Sequence, residues 1–259
     1  MSELSGKWAL VTGASAGLGF AVAENLAGAG ANIVLHDLVA PKVGADRLKA
    51  KFRVDVIAVE ADLTKPPAIA AMIADVLGRC GAIDILVNNA VVRHFAAVED
   101  FPPAEWDRAL AVNLSAPFHL IRLALPAMKR KGWGRIINMA SIYSSRAVVD
   151  RIDYVTTKTA MVGITRAVAL ETVRTGITCN AIAPGALPTP AIIGKIASLA
   201  AAAGESLETA TDKYMAERQP SGRFIDLAAI GGLVIFLCSE AGRDVTGTSL
   251  PVDGGWSIA

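Results

Sequence analysis

The chain has 259 residues, 53% of them hydrophobic, with 25 basic against 24 acidic side chains and a formal net charge of +1. A chain of this length can bury a large core. A near-neutral balance with no long basic run argues against nucleic acid and acidic membrane surfaces as partners. Cys80, Cys179 and Cys238 are isolated and odd in number, so they are expected as core residues of a reducing, cytoplasmic compartment, with no disulfide and no metal.

The opening "MSELSGKWALVTG" has no charged stretch leading into an apolar one, so no secretory signal is expected. Its end, "WALVTG", reads as the first strand. "VTGASAGLGFA" then turns into a helix over 18–28, with Gly13, Gly17 and Gly19 in G-x-x-x-G-x-G spacing. Such glycines allow a tight turn, close approach of backbone to a pyrophosphate and close helix packing. The N–H groups of the helix start face the phosphates. "NIVLHD" reads as the second strand and ends on Asp37, placed to accept from an adenosine ribose 2′-OH. An acid there favours NAD over NADP, as does Ala16 in place of a basic residue, while Lys42 argues the other way.

"VIAVEAD" is the third strand, 66–79 a helix, and "IDILVNN" the fourth strand. "NNAVV" at its end organises a loop beside a nucleotide or forms a plain Asx-turn. A single helix is expected over 104–130. Asn113 inside it marks either a kink that frees a carbonyl for a water or a satisfied buried amide.

"GRIINMAS" is the fifth strand and ends on Ser141. The next helix, 154–175, carries Tyr154 and Lys158 at i and i+4, on one face. Tyrosine titrates near 10, and a neighbouring ammonium favours the phenolate, which makes tyrosine a usable base near neutral pH. "ITCNAIAPG" is the sixth strand. Residues 190–220 hold two helical patterns with no strand between them, read as a lid over the sheet's C-terminal edge or as a surface hairpin. "LAAIGGLVIFLC" (227–238) is a helix too short to span a bilayer, and "TSLPVDGG" a last strand. Alternating strands and helices imply one domain: an α/β, doubly wound parallel sheet with helices on both faces.

"TGASAGLG", "NNA", Asn113, Ser141, "YVTTK" and "PG" at 184–185, in this order and spacing, resemble the short-chain dehydrogenase/reductase family over essentially the whole chain. The resemblance implies a Rossmann-type fold, a homotetramer and an enzyme that moves a hydride between NAD and a CH–OH group of a small molecule. Tyr154 would be the general acid/base, Ser141 a hydrogen-bond donor to the substrate oxygen, Lys158 a ribose ligand beside Tyr154, and Asn113 the support of a relay water. Gly13, Ser15, Gly17, Leu18, Gly19, Asp37, Asn89 and Ala90 would contact the cofactor. Asp62 and Leu63 would lie near adenine, and Pro184, Gly185, Leu187 and Thr189 near nicotinamide.

Within the family, the closest resemblance is to bacterial D-3-hydroxybutyrate dehydrogenases, and the departures concern substrate. Val91 stands where the family has glycine. Arg93, Tyr143 and Arg151 stand where those enzymes have glutamine, histidine and lysine, and Ile193 or Lys195 where they have glutamine. Arg93, Ser141, Tyr143, Arg151 and Tyr154 are therefore the expected substrate contacts, for a small-molecule substrate of anionic character. Three readings follow: a hydroxybutyrate-type enzyme with altered contacts, a dehydrogenase of a larger anionic alcohol such as a sugar acid, dicarboxylate or sulfonate, and a neutral sugar or polyol dehydrogenase with the arginines in surface ion pairs. A non-catalytic nucleotide-binding scaffold is disfavoured because all four catalytic residue types are present.

Overall fold

The computed structural model describes residues 3–259. Seven parallel strands form one sheet: β1 (Trp8–Thr12), β2 (Asn32–Asp37), β3 (Val56–Glu60), β4 (Ile85–Asn88), β5 (Gly134–Met139), β6 (Ile177–Pro184) and β7 (Ser249–Val252). Their spatial order is 3-2-1-4-5-6-7. The order reverses between β1 and β4, which opens a crevice at the C-terminal ends of those strands.

Both sheet faces are covered, which is why the strands read as continuous apolar runs. Side chains alternate between faces. Ala9 and Val11 of β1 pack with α1 (Gly17–Gly28), α2 (Lys42–Lys51) and α9 (Leu227–Cys238). Leu10 faces the other way, toward α3 (Pro66–Cys80), α5 (Ala116–Lys131) and α6 (Ile152–Thr172). The hairpin of α7 (Pro190–Ala203) and α8 (Leu207–Ala216) holds a small apolar cluster of its own around Ile196, Ala200 and Ala210.

Three elements differ from the sequence reading. Helix α2 went unread because "KVGADRLKAK" buries only Gly44, Ala45 and Leu48 and has no apolar stripe. Helix α6 starts at Ile152 and ends at Thr172, so Tyr154 lies in its first turn rather than at its first residue. The helix expected over 104–130 is three pieces: α4 (Pro103–Leu110), a π-helical turn (Ala111–Ser115) and α5. Pro117 gives a reason for the break. It has no N–H to offer the Asn113 carbonyl four residues earlier, so the α-helical ladder loses a bond there.

Candidate active site

A cavity of about 710 Å³ opens along the C-terminal edge of the sheet. The segments that follow six of the seven strands line it. Gly13 comes from the β1 end, Asp37 from β2, Ala61–Thr64 from β3, Asn89–Arg93 from β4, Ala140 and Ser141 from β5, and Gly185 and Leu187 from β6.

The glycines at the β1–α1 turn do different work. Gly13 has φ +63°, and a Cβ there would stand 2.8 Å from the Ala90 Cα. A Cβ on Gly19 would fall on the Gly13 carbonyl oxygen. Gly17 has φ +58° with nothing within 4 Å of its Cβ position, so the turn leaves open space beside it. Helix α1 begins there with no side-chain cap. Uncapped N–H groups facing open space suit a phosphate. Asn89 fastens this turn to β4, because its Nδ2 donates to the carbonyls of Thr12 (2.9 Å) and Gly13 (3.0 Å). It is a staple across the strand crossover rather than an Asx-turn.

Asp37 lines the cavity and accepts from the N–H groups of Ser15 (3.0 Å) and Leu38 (2.8 Å). Ser15 thus acts through its backbone, and neither it nor Gly17 lines the cavity. Asp62 accepts from the N–H and hydroxyl of Thr64, which hold its carboxyl below the usual carboxylate range with help from Lys65. Leu18, Gly19, Leu63, Ala90, Pro184, Gly185, Leu187 and Thr189 also line the cavity. The Thr189 hydroxyl accepts from the Ile192 N–H and so caps α7, at the cavity wall.

The four residues read as catalytic come from three elements. Ser141 begins the short 3₁₀ turn Ile142–Ser144, and its Oγ accepts from the Tyr143 N–H (3.2 Å). Tyr154 and Lys158 share the inner face of α6, with Nζ 5.6 Å from the tyrosine ring centroid. Lys158 is buried and donates to the Met139 carbonyl. Burial, and then the positive charge of Arg93, push its ammonium down to about 7. Ser141, Tyr154 and Lys158 line the cavity, and Asn113 does not. Its side chain is fully employed: it accepts from the Val92 N–H (2.8 Å), donates to the Val92 carbonyl (2.8 Å) and donates to Thr157 Oγ1 (3.3 Å). Asn113 is thus a satisfied buried amide, and it sits on the π-helical turn.

The substrate candidates divide. Arg93 lines the cavity, is exposed, and forms no ion pair among the described residues. Arg151 and Tyr143 do not line it. Tyr143 packs edge-on to Tyr154 (6.3 Å) and Trp256 (5.7 Å), and burial pushes its phenol up. Arg151 is not paired with Asp150 or Asp153. The Asp153 carboxylate accepts instead from the N–H groups of His94 (3.0 Å) and Tyr154 (2.6 Å). Val91 lines the cavity, as do Arg108 and Val112, which sequence reading did not single out. Arg108 and Val112 are four apart on the helical run carrying Asn113, and that spacing was the available signal.

Residues 13–257 match the family model described as enoyl-(acyl carrier protein) reductase. The chain is 43% identical to the D-beta-hydroxybutyrate dehydrogenase of Cupriavidus necator, over 98% of each chain. It is 42% identical to the D-beta-hydroxybutyrate dehydrogenase of Rhizobium meliloti, over 97% of this chain and 98% of that one. The crystal structure of L-sorbose reductase from Gluconobacter frateurii, complexed with NADPH and L-sorbose, matches with a TM-score of 0.94 and 31% identity over 100% of both chains.

Proposed function

The chain belongs to the short-chain dehydrogenase/reductase family, oxidoreductases that interconvert secondary alcohols and carbonyls, and we propose that its substrate is a small anionic hydroxy compound and its cofactor NAD. The observation that carries the substrate reading is Arg93, a guanidinium on the cavity wall near Lys158 with no ion pair among the described residues. A guanidinium fork suits a carboxylate or sulfonate. The two D-beta-hydroxybutyrate dehydrogenases support an acid of that kind.

The open turn at Gly17, the uncapped start of α1 and the Asp37 carboxylate fit a dinucleotide. When bound, NAD supplies the hydride acceptor. The protein residues handle the proton. Ser141 Oγ donates to the substrate oxygen, the Tyr154 hydroxyl exchanges the proton with it, and Lys158 places a cation beside that tyrosine. The Asn113 carbonyl, which finds no N–H four residues on at Pro117, supports a relay water. Asp37 would repel a 2′-phosphate, and Lys42 is not among the residues that line the cavity. The α7–α8 hairpin serves as the lid of a single-domain enzyme. Phe118 of α5, Leu170 of α6 and Val173 just past its end are exposed apolar residues, which supports a homotetramer, and we assign the enzyme to the cytoplasm.

A second reading, a neutral sugar or polyol dehydrogenase, is favoured by the L-sorbose reductase likeness, and that structure's NADPH favours the other nucleotide. One experiment separates them. Purified protein is assayed with NAD and NADP across hydroxy acids, sugar acids, sulfonates and polyols, with Arg93→Met beside it. The expected result is highest kcat/KM with NAD and an anion. Arg93→Met should lose roughly one to two orders of magnitude on the anion and little on its neutral analogue, as for one lost charged hydrogen bond. Equal loss on both substrates, or none, sinks the anionic reading. Comparable kcat/KM with the two nucleotides sinks the NAD assignment.

A further inference from the structure

Arg151 is built into a corner that the cavity does not reach. Asp150 has φ +61°, a left-handed turn that short acidic residues tolerate, and it delivers Arg151 to the N-cap of α6. Two hydrogen bonds fasten the loop after β4 over this corner. The Ala96 N–H donates to the Asp150 carbonyl (3.3 Å), and the His94 N–H donates to the Asp153 carboxylate (3.0 Å). Between these ties lies Phe95. The Arg151 Cζ stands 4.3 Å from the Phe95 ring centroid and 4.5 Å from that of Tyr154. Its Nε is buried without a hydrogen-bond partner, and no ion pair of Arg151 occurs among the described residues.

We propose that Arg151 is a positioning residue for Tyr154, stacked between Phe95 and the tyrosine ring so that its cation orients the ring and stabilises the phenolate. The proposal rests on the reading of Tyr154 as the acid/base. A cation on a ring face is attracted by the ring's electron density, and more strongly when the phenol has lost its proton. Only such a differential interaction assists the proton step. Guanidinium suits the place because it is planar and stays charged. Burial lowers its proton affinity, and the neighbouring Tyr154 opposes that. Lys158, by contrast, is pushed down to about 7.

Other groups also face the tyrosine. Lys158 comes from its own helix and Tyr143 from the 3₁₀ turn, on which Tyr214 of α8 and Arg218 just past α8 act in turn. Arg93 acts on both Lys158 and Arg151. The Asp153 carboxylate is taken up by N–H groups.

The test is kcat/KM against pH for alcohol oxidation, on the best anionic substrate and on its neutral analogue, in wild type, Arg151→Met, Arg151→Lys and Tyr154→Phe. Arg151→Met should move the acidic limb up by about half to one pH unit on both substrates. Arg151→Lys should restore most of that position. Should the methionine variant not fold, Arg151→Gln gives the same readout. An unmoved limb overturns the proposal, and so does a loss confined to the anionic substrate, which makes Arg151 a substrate ligand. Near-normal turnover in Tyr154→Phe overturns the acid/base reading and this proposal together, and is told apart because the limb then does not belong to Tyr154.

Discussion

Lys158 is a charged side chain set in a dry place, 3% exposed and donating to the Met139 carbonyl. Its ammonium moves from an ordinary 10.5 down to about 7, through burial first and Arg93 second. An unfolded lysine keeps its proton up to about 10.4. Between the two values the unfolded state binds more protons, so stability rises with pH across roughly 7 to 10. In the proposed mechanism the reaction uses the cation, whereas the fold only bears its cost. Lys158→Met is therefore expected to gain about 1–3 kcal/mol near pH 6.5, as for replacement of a buried charge by an apolar group, and to lose turnover. The gain should shrink toward pH 10. Urea unfolding at both pH values checks this, and destabilisation at both would refute it.

At the scale of elements, the decisive feature is the broken helix from α4 to α5. Its apolar periodicity continues through the break, so hydrophobic pattern alone gives one helix. The legible signal was Pro117, four residues after Asn113, which removes the N–H that the Asn113 carbonyl would accept from. The side-chain half of the device was not legible, because Val92 lies 21 residues away in sequence and meets Asn113 only through the fold. Asn113→Ala should cost about 2–4 kcal/mol by leaving both polar groups of Val92 unpaired, and should lower kcat. Pro117→Ala makes the contrasting case. A restored N–H at 117 competes for the carbonyl, so kcat should fall several-fold while Tm holds or rises. Thermal melts beside steady-state kinetics separate the two, and an unchanged kcat in Pro117→Ala would remove the carbonyl from the mechanism.

Across the whole molecule, one buried amide ties three distant segments together. Gln219, just past α8, accepts from the Ala186 N–H (2.8 Å) and donates to the Arg223 carbonyl. Gly185 leaves room for it, since a Cβ there would stand 2.5 Å from Gln219 Oε1 and 2.9 Å from the Asp253 Cα. The base of the hairpin, the loop after β6 and the segment after β7 thus share one packed joint. Gln219→Leu should destabilise by about 2–4 kcal/mol, through two buried groups left unpaired. It should also raise KM for nucleotide and substrate and quicken proteolysis within 190–220. Cleavage at the wild-type rate would show that the hairpin does not depend on this joint.

The sequence by itself determined the class of fold, the strand identities and many of the residues that line the cavity. Those features are local: apolar runs, glycines at one turn, and a tyrosine and lysine on one helix face. The α7–α8 hairpin was legible for the same reason, as two helical patterns with no strand between them. The tertiary structure alone decided how side chains from distant segments share work. It put Asn89 on the carbonyls of Thr12 and Gly13, Asn113 on Val92, and Arg151 between two rings instead of beside the acids that flank it in sequence. Nothing in spacing along the chain distinguishes an arginine in an ion pair from one stacked on a ring. That choice depends on which loop the sheet brings over it, and here the sheet order lays the loop after β4 across the start of α6.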